Sequence, residues 1–346
     1  MISWKSELEF ERFLRRMRFA GSTVPVGIGD DAAVLNFRGQ KVLFTTDMMV
    51  EGVHFSRATC PPEWLAHKLL ARNVSDIAAM GGKPSGYVVS LAVPSGLQSD
   101  FIPRFYRGLR SAQRRMGATL VGGDLSRSPS ASLFTSMALT GECDGKPLLR
   151  SGARRGDHLW VSGTLGRSAA ALELLQSGRV AVDIKARRFR SLGMGNAPVR
   201  GELKKMMQAH FLPEPRTRLS RWLVRHGIGR AAIDLSDGLS TDLNRLCAAG
   251  KVGAVVHLED IPISRSVRRW AADPLMAALH GGEDYELLFA APPAAEPQLR
   301  RHHDPVSLHR IGEIVAKNRG VRIESQGRLR PLASGGFDHL RRRLAR

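Results

Sequence analysis

Hydrophobic and polar positions change their spacing along the chain in a way that predicts alternating helices and strands. Residues 5–19 and 63–80 carry apolar side chains at helical spacing, whereas the apolar run over 41–46 predicts a buried strand that ends at Asp47. Such alternation indicates an α/β protein. The other predicted strands are 87–93, 118–121, 132–140, 158–162, 230–234, 254–258 and 284–290, and the other predicted helices are 103–116, 169–175 and 239–247.

The chain of 346 residues is long enough for two domains. A polar connector near residue 150 separates two runs of these elements, so we expect domains over 1–149 and 150–346. The basic, Gly-rich stretch 178–200 predicts an irregular insertion, and 340–346 a solvated charged tail. A Gly-rich turn over 163–168 precedes a helix, where backbone N–H groups can bind an anion, but a purely structural turn is the favoured interpretation.

Short acidic clusters flanked by glycine or hydroxyl residues recur at the predicted turns, strand ends and one helix. Mg²⁺ takes oxygen ligands, commonly one or two carboxylates together with phosphates. The set therefore predicts a site that holds more than one metal ion around a polyphosphate. The clusters are Gly29-Asp30-Asp31, Thr45-Thr46-Asp47, Ser75-Asp76, Gly122-Gly123-Asp124, Asp234-Leu235-Ser236-Asp237-Gly238 and Gly281-Gly282-Glu283-Asp284.

Each early cluster also has an ordinary structural interpretation. Asp30 and Asp31 follow a flexible turn, so one can face a metal while the other holds the turn, or both can form a plain Asp-rich turn. Asp47 can cap the turn after its strand. Asp76 shares a helix face with Asn73 beside the core, where a carboxylate needs a metal or an arginine partner.

The residues of the later clusters likewise have either a role in a site or an ordinary structural role. Asp234 and Ser236 point to one side of an extended segment and can serve one site, whereas Asp237 is well placed as a helix N-cap. Glu283 can meet the polar end of a substrate or lie in a surface turn. His54 lies close to an Asp-bearing strand, and the sequence favours neither a structural nor a chemical role for it.

Composition narrows the class of protein. The chain has 52 Lys+Arg against 32 Asp+Glu, a net charge of +20, but its arginines are scattered and its aromatic content is only 6%. A nucleic-acid-binding module is therefore the less favoured alternative, although such a charge would suit it. Cys60, Cys143 and Cys247 form no zinc or disulfide pattern, and residues 1–7 lack the apolar core of a signal peptide. With no apolar run of bilayer length, we expect a cytoplasmic protein without a membrane partner.

The order of the motifs resembles the thiamine-monophosphate kinases of the aminoimidazole ribonucleotide synthetase-like superfamily, from about residue 24 to 340. No single motif is specific, but the set in this order is. The motifs are Gly-Ile-Gly-Asp-Asp, Thr-Thr-Asp with Gly-Val-His-Phe, Asn-Val-Ser-Asp-Ile-Ala-Ala-Met-Gly, Val-Gly-Gly-Asp, Ala-Ile-Asp-Leu-Ser-Asp-Gly-Leu, Gly-Gly-Glu-Asp-Tyr-Glu-Leu and Gly-Gly-Phe-Asp-His.

The resemblance implies phosphorylation of thiamine monophosphate to thiamine diphosphate, by direct in-line transfer from ATP with several Mg²⁺ ions. It implies a two-domain α/β (α+β) fold. The N-terminal mixed sheet, which would bind ATP and Mg²⁺, would pair into a barrel in a homodimer, and the C-terminal α/β domain would complete an active site between the domains. Nucleic acid would not be a partner despite the basic charge.

The resemblance also assigns roles to individual residues. The catalytic set would be Asp30, Asp76, Asp124 and Asp234; the metal ligands would be Asp30, Thr45, Thr46, Asp47, Asp76, Asp124, Asp234 and Asp237; the ATP contacts would be Gly123, Asp124, Arg150, Ser236 and Tyr106; and the thiamine contacts would be His54, Glu283 and Phe337. Phe337 suits a flat cationic ring. Leu125-Ser126 departs from the family pattern, which has Thr after Gly-Gly-Asp.

Other members of the superfamily remain the nearest alternatives. A selenophosphate synthetase would be expected to carry a reactive Cys or selenocysteine in a Gly-rich segment near the N-terminus, and nothing before Cys60 fits that pattern. An aminoimidazole ribonucleotide synthetase is the other alternative of this kind.

Overall fold

Strands and helices alternate through both halves of the chain. The computed structural model describes residues 6–17, 21, 23–192, 199–302 and 305–340. The strands are β1 Ala33–Phe37, β2 Gln40–Val50, β3 Lys83–Val93, β4 Thr119–Arg127, β5 Phe134–Glu142, β6 His158–Ser162, β7 Val180–Asp183, β8 Arg188–Ser191, β9 Ala231–Asp234, β10 Gly253–His257, β11 Leu287–Ala291, β12 Leu308–Val315, β13 Val321–Ser325 and β14 Arg328–Pro331. The helices are α1 Glu7–Arg16, α2 Pro62–Ala79, α3 Phe101–Met116, α4 Arg167–Gln176, α5 Gly201–Phe211, α6 Thr217–Arg225, α7 Leu239–Gly250, α8 Arg265–Trp270, α9 Pro274–His280 and α10 Glu296–Arg300.

The N-terminal unit is a five-stranded sheet in the order β1-β2-β5-β3-β4, with α2 and α3 packed on one face. Only β3 and β4 are parallel, so the sheet is mixed. Strand positions alternate between faces, and Leu43 and Met49 are buried on the helix side. The opposite face leaves Phe44, Met48 and Val88 exposed. This sheet is therefore covered on one side only.

The C-terminal unit is a seven-stranded mixed sheet in the order β14-β13-β10-β12-β6-β11-β9. Its strands β6, β11 and β9 are almost entirely buried and consist largely of apolar residues, as a sheet covered on both faces requires. The core beside α7 includes Leu159, Ile233, Leu243 and Leu288. Among the described residues, no helix combines the length and apolar character needed to cross a membrane.

The structure confirms most predicted elements and corrects several of their bounds. β2 does not end at Asp47 but pairs with β5 from Val42 to Val50. β4 likewise continues through Gly122-Gly123-Asp124, because it pairs with β3 as far as Arg127. β11 begins later than predicted because Glu283 and Tyr285 adopt positive φ angles of 65° and 50°, which an extended strand does not allow.

Two predictions about connecting segments have a different outcome. The stretch 178–200 is not an irregular insertion throughout, since β7 and β8 form a hairpin within it, and residues 193–198 lie outside the described part. The tail beyond residue 340 also lies outside the described residues. The elements that were not predicted also include α5, α6, α8, α9, α10, β1, β12, β13 and β14. The described part of a single chain holds two open sheets and a hairpin, without a closed barrel.

Candidate active site

A cleft of about 1010 Å³ lies between the two units and is lined by residues from both. α2 supplies Arg72 and Asp76 from the N-terminal side, and the segment after β9 supplies Ser236 from the C-terminal side. Eight residues assigned by resemblance line it: Asp47, His54, Asp76, Asp234, Ser236, Asp237, Glu283 and Phe337. The sequence therefore identified parts of one concave surface that are up to 290 positions apart, the difference between 337 and 47.

Three carboxylates converge here, and two of them, Asp76 and Asp234, line the cleft. Asp31, Asp76 and Asp234 each offer an oxygen atom, and these atoms all lie within 4.8 Å of one another. They come from the turn before β1, from α2 and from the end of β9, so both units contribute. Carboxylate oxygens at this spacing are suited to a hard divalent cation such as Mg²⁺.

The cluster is electrostatically unfavourable without a cation. Burial, and then the charges of Asp47 and Asp234, raise the pKa of Asp76 well above its ordinary value. Burial and the charge of Asp31 raise the pKa of Asp234 to about 8. Like charges held together in a buried place favour the protonated form or a bound metal. The donor set therefore fits a divalent cation.

Hydroxyl groups hold two of these carboxylates in position. The Thr45 hydroxyl donates to Asp76 Oδ2 at 2.6 Å, and the Ser75 hydroxyl donates to Asp234 Oδ2 at 2.7 Å. The second bond crosses between the two units. Each carboxylate thus keeps a fixed orientation while its other oxygen remains available.

The adjacent carboxylates of Asp30 and Asp31 bind different groups of Arg150. Asp30 Oδ1 accepts the backbone N–H of Arg150 at 2.7 Å, so Asp30 anchors the connector between the units. The Arg150 guanidinium pairs with Asp31 through two hydrogen bonds of 2.7 and 3.2 Å. Asp31, which the resemblance did not assign, is therefore the member of this pair that joins the carboxylate cluster.

The opposite end of the cleft contains Glu283 and its basic partners. Lys68 Nζ donates to Glu283 Oε2 at 2.8 Å, and His210 Nδ1 lies 3.6 Å from the same oxygen. Burial alone would raise the pKa of Glu283, but Lys68, His210 and Arg72 together lower it to about 2. Glu283 is therefore an anion whose ion-pair partner within the protein is Lys68.

Three rings line the cleft near Glu283. The Val50 N–H donates to His54 Nδ1 at 3.0 Å, so the proton of the neutral His54 ring is on Nε2, which lies 3.3 Å from His339 Nε2. Burial, followed by the charges of Arg72 and His339, lowers the pKa of His54 to about 4. Phe337 packs edge-on against His339 with centroids 4.6 Å apart. The Phe337 ring and the neutral His54 ring suit a flat cationic ligand.

Several assigned residues lie away from the three carboxylates. By strand register, Thr46 and Asp124 lie on the uncovered face of the first sheet, whereas Asp47 lies on the helix face. Gly123 is on the edge strand β4, and Tyr106 is on α3; neither lines the cleft. The described part of a single chain does not bring Thr46, Asp124, Gly123 or Tyr106 to the cleft. The roles of these four residues stay predictions.

Asp237 lies in the cleft but does not cap α7. The N-cap position is Gly238, and Asp242 accepts the backbone N–H groups of Asp237 and Gly238 at 3.0 and 3.1 Å. The Asp237 carboxylate instead pairs with Arg245, which also binds Glu7 of α1 at 3.0 Å. The N-cap interpretation of Asp237 was therefore wrong.

The Gly-rich turn over residues 163–168 has the structural role that we favoured. The N–H groups at the start of α4 are already occupied by a side chain, since Gly166 and Ser168 donate to the Asp284 carboxylate at 2.7 and 3.3 Å. Burial raises the pKa of Asp284 to about 7 in spite of these bonds. An external anion would have to displace that side chain.

Lys68, Arg72 and His339 were missed from the sequence. Lys68, Arg72 and Asp76 are four residues apart, so they follow one stripe of α2, and this spacing was a signal that could have identified the two basic residues. His339 is the last residue of the Gly-Gly-Phe-Asp-His motif, of which only Phe337 received a role.

We expect Lys68→Met to lower the free energy of unfolding by about 3–5 kcal/mol at pH 7, because it leaves the Glu283 carboxylate unpaired in a largely buried place. The lowered pKa of Glu283 means that the ion pair stabilises the fold above pH 4.5 and loses this effect as the pH falls toward 2. The difference between the wild-type and variant proteins in urea unfolding should therefore shrink at pH 3.

Two further variants control this measurement. Lys68→Met combined with Glu283→Gln should lose less stability than Lys68→Met alone, because no buried charge remains unpaired. Lys205 pairs with Glu202 at 2.8 Å on the surface, so Lys205→Met should cost less than about 1 kcal/mol. An equal loss for Lys68→Met and Lys205→Met would contradict the buried-pair explanation.

The comparisons with known proteins agree with this geometry. Residues 29–143 match the N-terminal domain of AIR synthase related protein, and residues 154–324 match its C-terminal domain. The thiamine-monophosphate kinase of Haemophilus influenzae is 33% identical over 341 residues, which cover 96% of each chain. That of Escherichia coli K12 is 33% identical over 334 residues, which cover 95% of this chain and 96% of its own.

Solved structures give the same result. A structure described as AaThiL complexed with AMPPCP and TMP has a TM-score of 0.80 at 30% identity and covers 96% of this chain and 97% of its own. Hydrogenase maturation protein HypE in complex with ATP has a TM-score of 0.65 at 22% identity, covers 88% of each chain and shows only that the fold is shared. By the matches over both domains and by its full-length relatives, the chain belongs to the AIR synthase-related proteins and, within them, to the thiamine-monophosphate kinase family.

Proposed function

We propose that this chain transfers a phosphoryl group from ATP to thiamine monophosphate and so produces thiamine diphosphate. The observation that carries the proposal is the cleft itself. One end is lined by Asp76 and Asp234, whose carboxylates form a cluster with that of Asp31, and the other by Glu283 with the rings of His54 and Phe337. A metal-bound polyphosphate fits the first end and a cationic aromatic head fits the second.

The residues act mainly by positioning and by charge, since phosphoryl transfer needs no covalent nucleophile from the protein. Bound Mg²⁺ would neutralise the phosphates that approach one another. Asp76 and Asp234 would hold the ions, with Asp31 and Asp47 beside them. We propose direct in-line transfer.

The remaining roles follow the family assignment. Arg150 and Ser236 would contact ATP, and Ser236 lies in the cleft beside Asp234. Asp30 would support the site through its hydrogen bond to Arg150 as well as through a metal. Glu283 would accept hydrogen bonds from the thiamine head. The proposed roles of Thr45, Thr46, Gly123, Asp124, Asp237 and Tyr106 rest on the resemblance.

We further propose a homodimer in which two N-terminal sheets meet and close a barrel. The uncovered apolar face that includes Phe44, Met48 and Val88 supports this, because such patches mark interaction surfaces. The division into domains 1–149 and 150–346 is supported by the change of sheet between β5 and β6. A reducing, cytoplasmic location fits the three free cysteines.

The activity test combines protein, ATP, Mg²⁺ and thiamine monophosphate and measures thiamine diphosphate and ADP by chromatography. We expect the two products in equal amounts, and none when EDTA removes the metal or when thiamine replaces thiamine monophosphate. Folded protein that forms no thiamine diphosphate under these conditions would overturn the proposed function. ADP formed without thiamine monophosphate would instead indicate ATP hydrolysis, in which water is the phosphoryl acceptor.

A further inference from the structure

One face of α2 forms a charged stripe along the floor of the cleft. Lys68, Arg72 and Asp76 follow one another at intervals of about 6 Å, one helical turn each, and all three line the cleft. Glu283 of the C-terminal unit pairs with Lys68, whereas Asp47 and Thr45 of β2 are the partners of Arg72 and Asp76. Arg72 therefore lies between the carboxylate cluster and the Glu283 end.

Arg72 uses little of its hydrogen-bonding capacity. Its only hydrogen bond among the described residues runs from Nη2 to Asp47 Oδ1 at 3.1 Å, and its buried Nε has no partner there. A guanidinium carries five N–H donors. The Arg72 side chain is only 14% exposed, so few of these donors can reach water. Buried N–H donors without an acceptor destabilise the folded protein, and a bound ligand that accepts their hydrogen bonds would remove this cost.

Other enclosed arginines of this chain are paired differently. Arg104, Arg150 and Arg216 each present Nε and Nη2 together to one carboxylate, with distances of 3.0 and 3.1 Å to Glu63, 3.2 and 2.7 Å to Asp31, and 2.6 and 2.5 Å to Glu286. Arg72 has no such two-point partner in the described part of the chain. The fork geometry that the other three use on carboxylates is equally suited to a phosphate.

The chemistry of the cleft calls for a cation at this point. An acceptor whose head lies against Glu283 and the rings must place its own phosphate between that end and the carboxylates of Asp76 and Asp234. The surrounding carboxylates, Asp47 among them, would repel it. Arg72 is the basic side chain in the middle of the stripe, where it can offset that repulsion.

We infer that Arg72 binds the phosphate of the acceptor substrate and thereby distinguishes thiamine monophosphate from thiamine, an inference that rests on the proposed function. The acceptor phosphate occupies the guanidinium donors that Asp47 leaves free. Arg72 is thus a specificity-determining residue for the acceptor, while the nucleotide is held elsewhere by the metal ligands.

The test compares two ligands that differ only in the phosphate. Each ligand is titrated into the wild-type protein in a calorimeter, with Mg²⁺ present throughout. Thiamine monophosphate should bind at least tenfold more tightly than thiamine. Arg72→Met should weaken the binding of thiamine monophosphate at least tenfold, since a charge-assisted hydrogen bond to the phosphate is lost. The same substitution should weaken the binding of thiamine less than twofold. Arg72→Lys should fall between them, because it keeps the charge without the fork.

Kinetics and a control variant complete the design. Arg72→Met should raise the KM for thiamine monophosphate and leave the KM for ATP unchanged. Arg115→Met, which removes an exposed arginine paired with Glu214, should match the wild-type protein in every measurement. Equal weakening of both ligands, or unchanged affinity for both, overturns the inference.

The two proposals fail separately. Normal thiamine diphosphate synthesis by Arg72→Met with an unchanged KM for thiamine monophosphate would refute the role of Arg72 and leave the proposed function intact. A wild-type protein that makes no thiamine diphosphate, yet loses its preference for thiamine monophosphate over thiamine on Arg72→Met substitution, would refute the kinase and keep the phosphate site.

Discussion

Asp76→Asn is expected to lower kcat by about a thousandfold or more while the protein stays folded. A metal-bound carboxylate at the reaction centre contributes several kcal/mol of charge stabilisation, and each 1.4 kcal/mol is about tenfold in rate. The raised pKa of Asp76 shows that its charge is unfavourable in the absence of a cation. The apo form of Asp76→Asn should therefore be as stable as the wild-type protein or more stable.

The measurement pairs steady-state kinetics with thermal unfolding at several Mg²⁺ concentrations. Mg²⁺ should raise the melting temperature of the wild-type protein, because a ligand that binds only the folded state stabilises it, and this rise should be much smaller for Asp76→Asn. Asp144→Asn is the matched control, since Asp144 is an exposed carboxylate that pairs with Arg221 and Arg225. Wild-type turnover by Asp76→Asn would refute the metal role of Asp76.

The carboxylate cluster shows how far local sequence patterns predict a site. Asp76 and Asp234 could be identified, because a carboxylate on a core-facing helix stripe or at the end of an apolar strand needs a partner. The choice between Asp30 and Asp31 could not be made from the sequence. Which of two adjacent side chains joins the carboxylate cluster depends on the dihedral angles of the turn, and Gly29 there has a φ of 119° that few other residues adopt.

Pairing between strands determined the outcomes that the sequence did not predict. The apolar run before Asp47 ends there, but β2 continues because β5 offers a partner as far as Val50. Gly122-Gly123-Asp124 has the composition of a turn, yet it pairs with β3 as an edge strand. At Gly123 a Cβ atom would lie 2.1 Å from the carbonyl oxygen of Val89, so glycine there permits close approach of two backbones rather than a turn.

Burial of charge was the other source of error. Lys68 is almost completely buried, and a lysine on a helix is normally read as a solvated residue. Its partner Glu283 is 215 positions away, so no local pattern could reveal the pair. The helical spacing of Lys68, Arg72 and Asp76 was visible, but its meaning depended on the C-terminal unit that covers this face.

Met48→Lys is expected to convert the proposed dimer into a monomer. In a twofold interface one substitution acts on both subunits, and burying two unpaired ammonium groups costs several kcal/mol, which corresponds to about a thousandfold weaker association or more. Met48 belongs to the uncovered sheet face, and it is 53% exposed in the single chain. A lysine there remains solvated in the monomer, so the fold should be preserved.

Met276→Lys is the matched control, because Met276 is 51% exposed but lies on α9 of the C-terminal unit, away from that face. Sedimentation should give a dimer for the wild-type protein and Met276→Lys, and a monomer for Met48→Lys. A dimeric Met48→Lys protein would place the subunit contact elsewhere. Because Thr46 and Asp124 lie on the same sheet face as Met48, loss of activity with dissociation would further show that these residues reach the reaction centre only when two sheets meet.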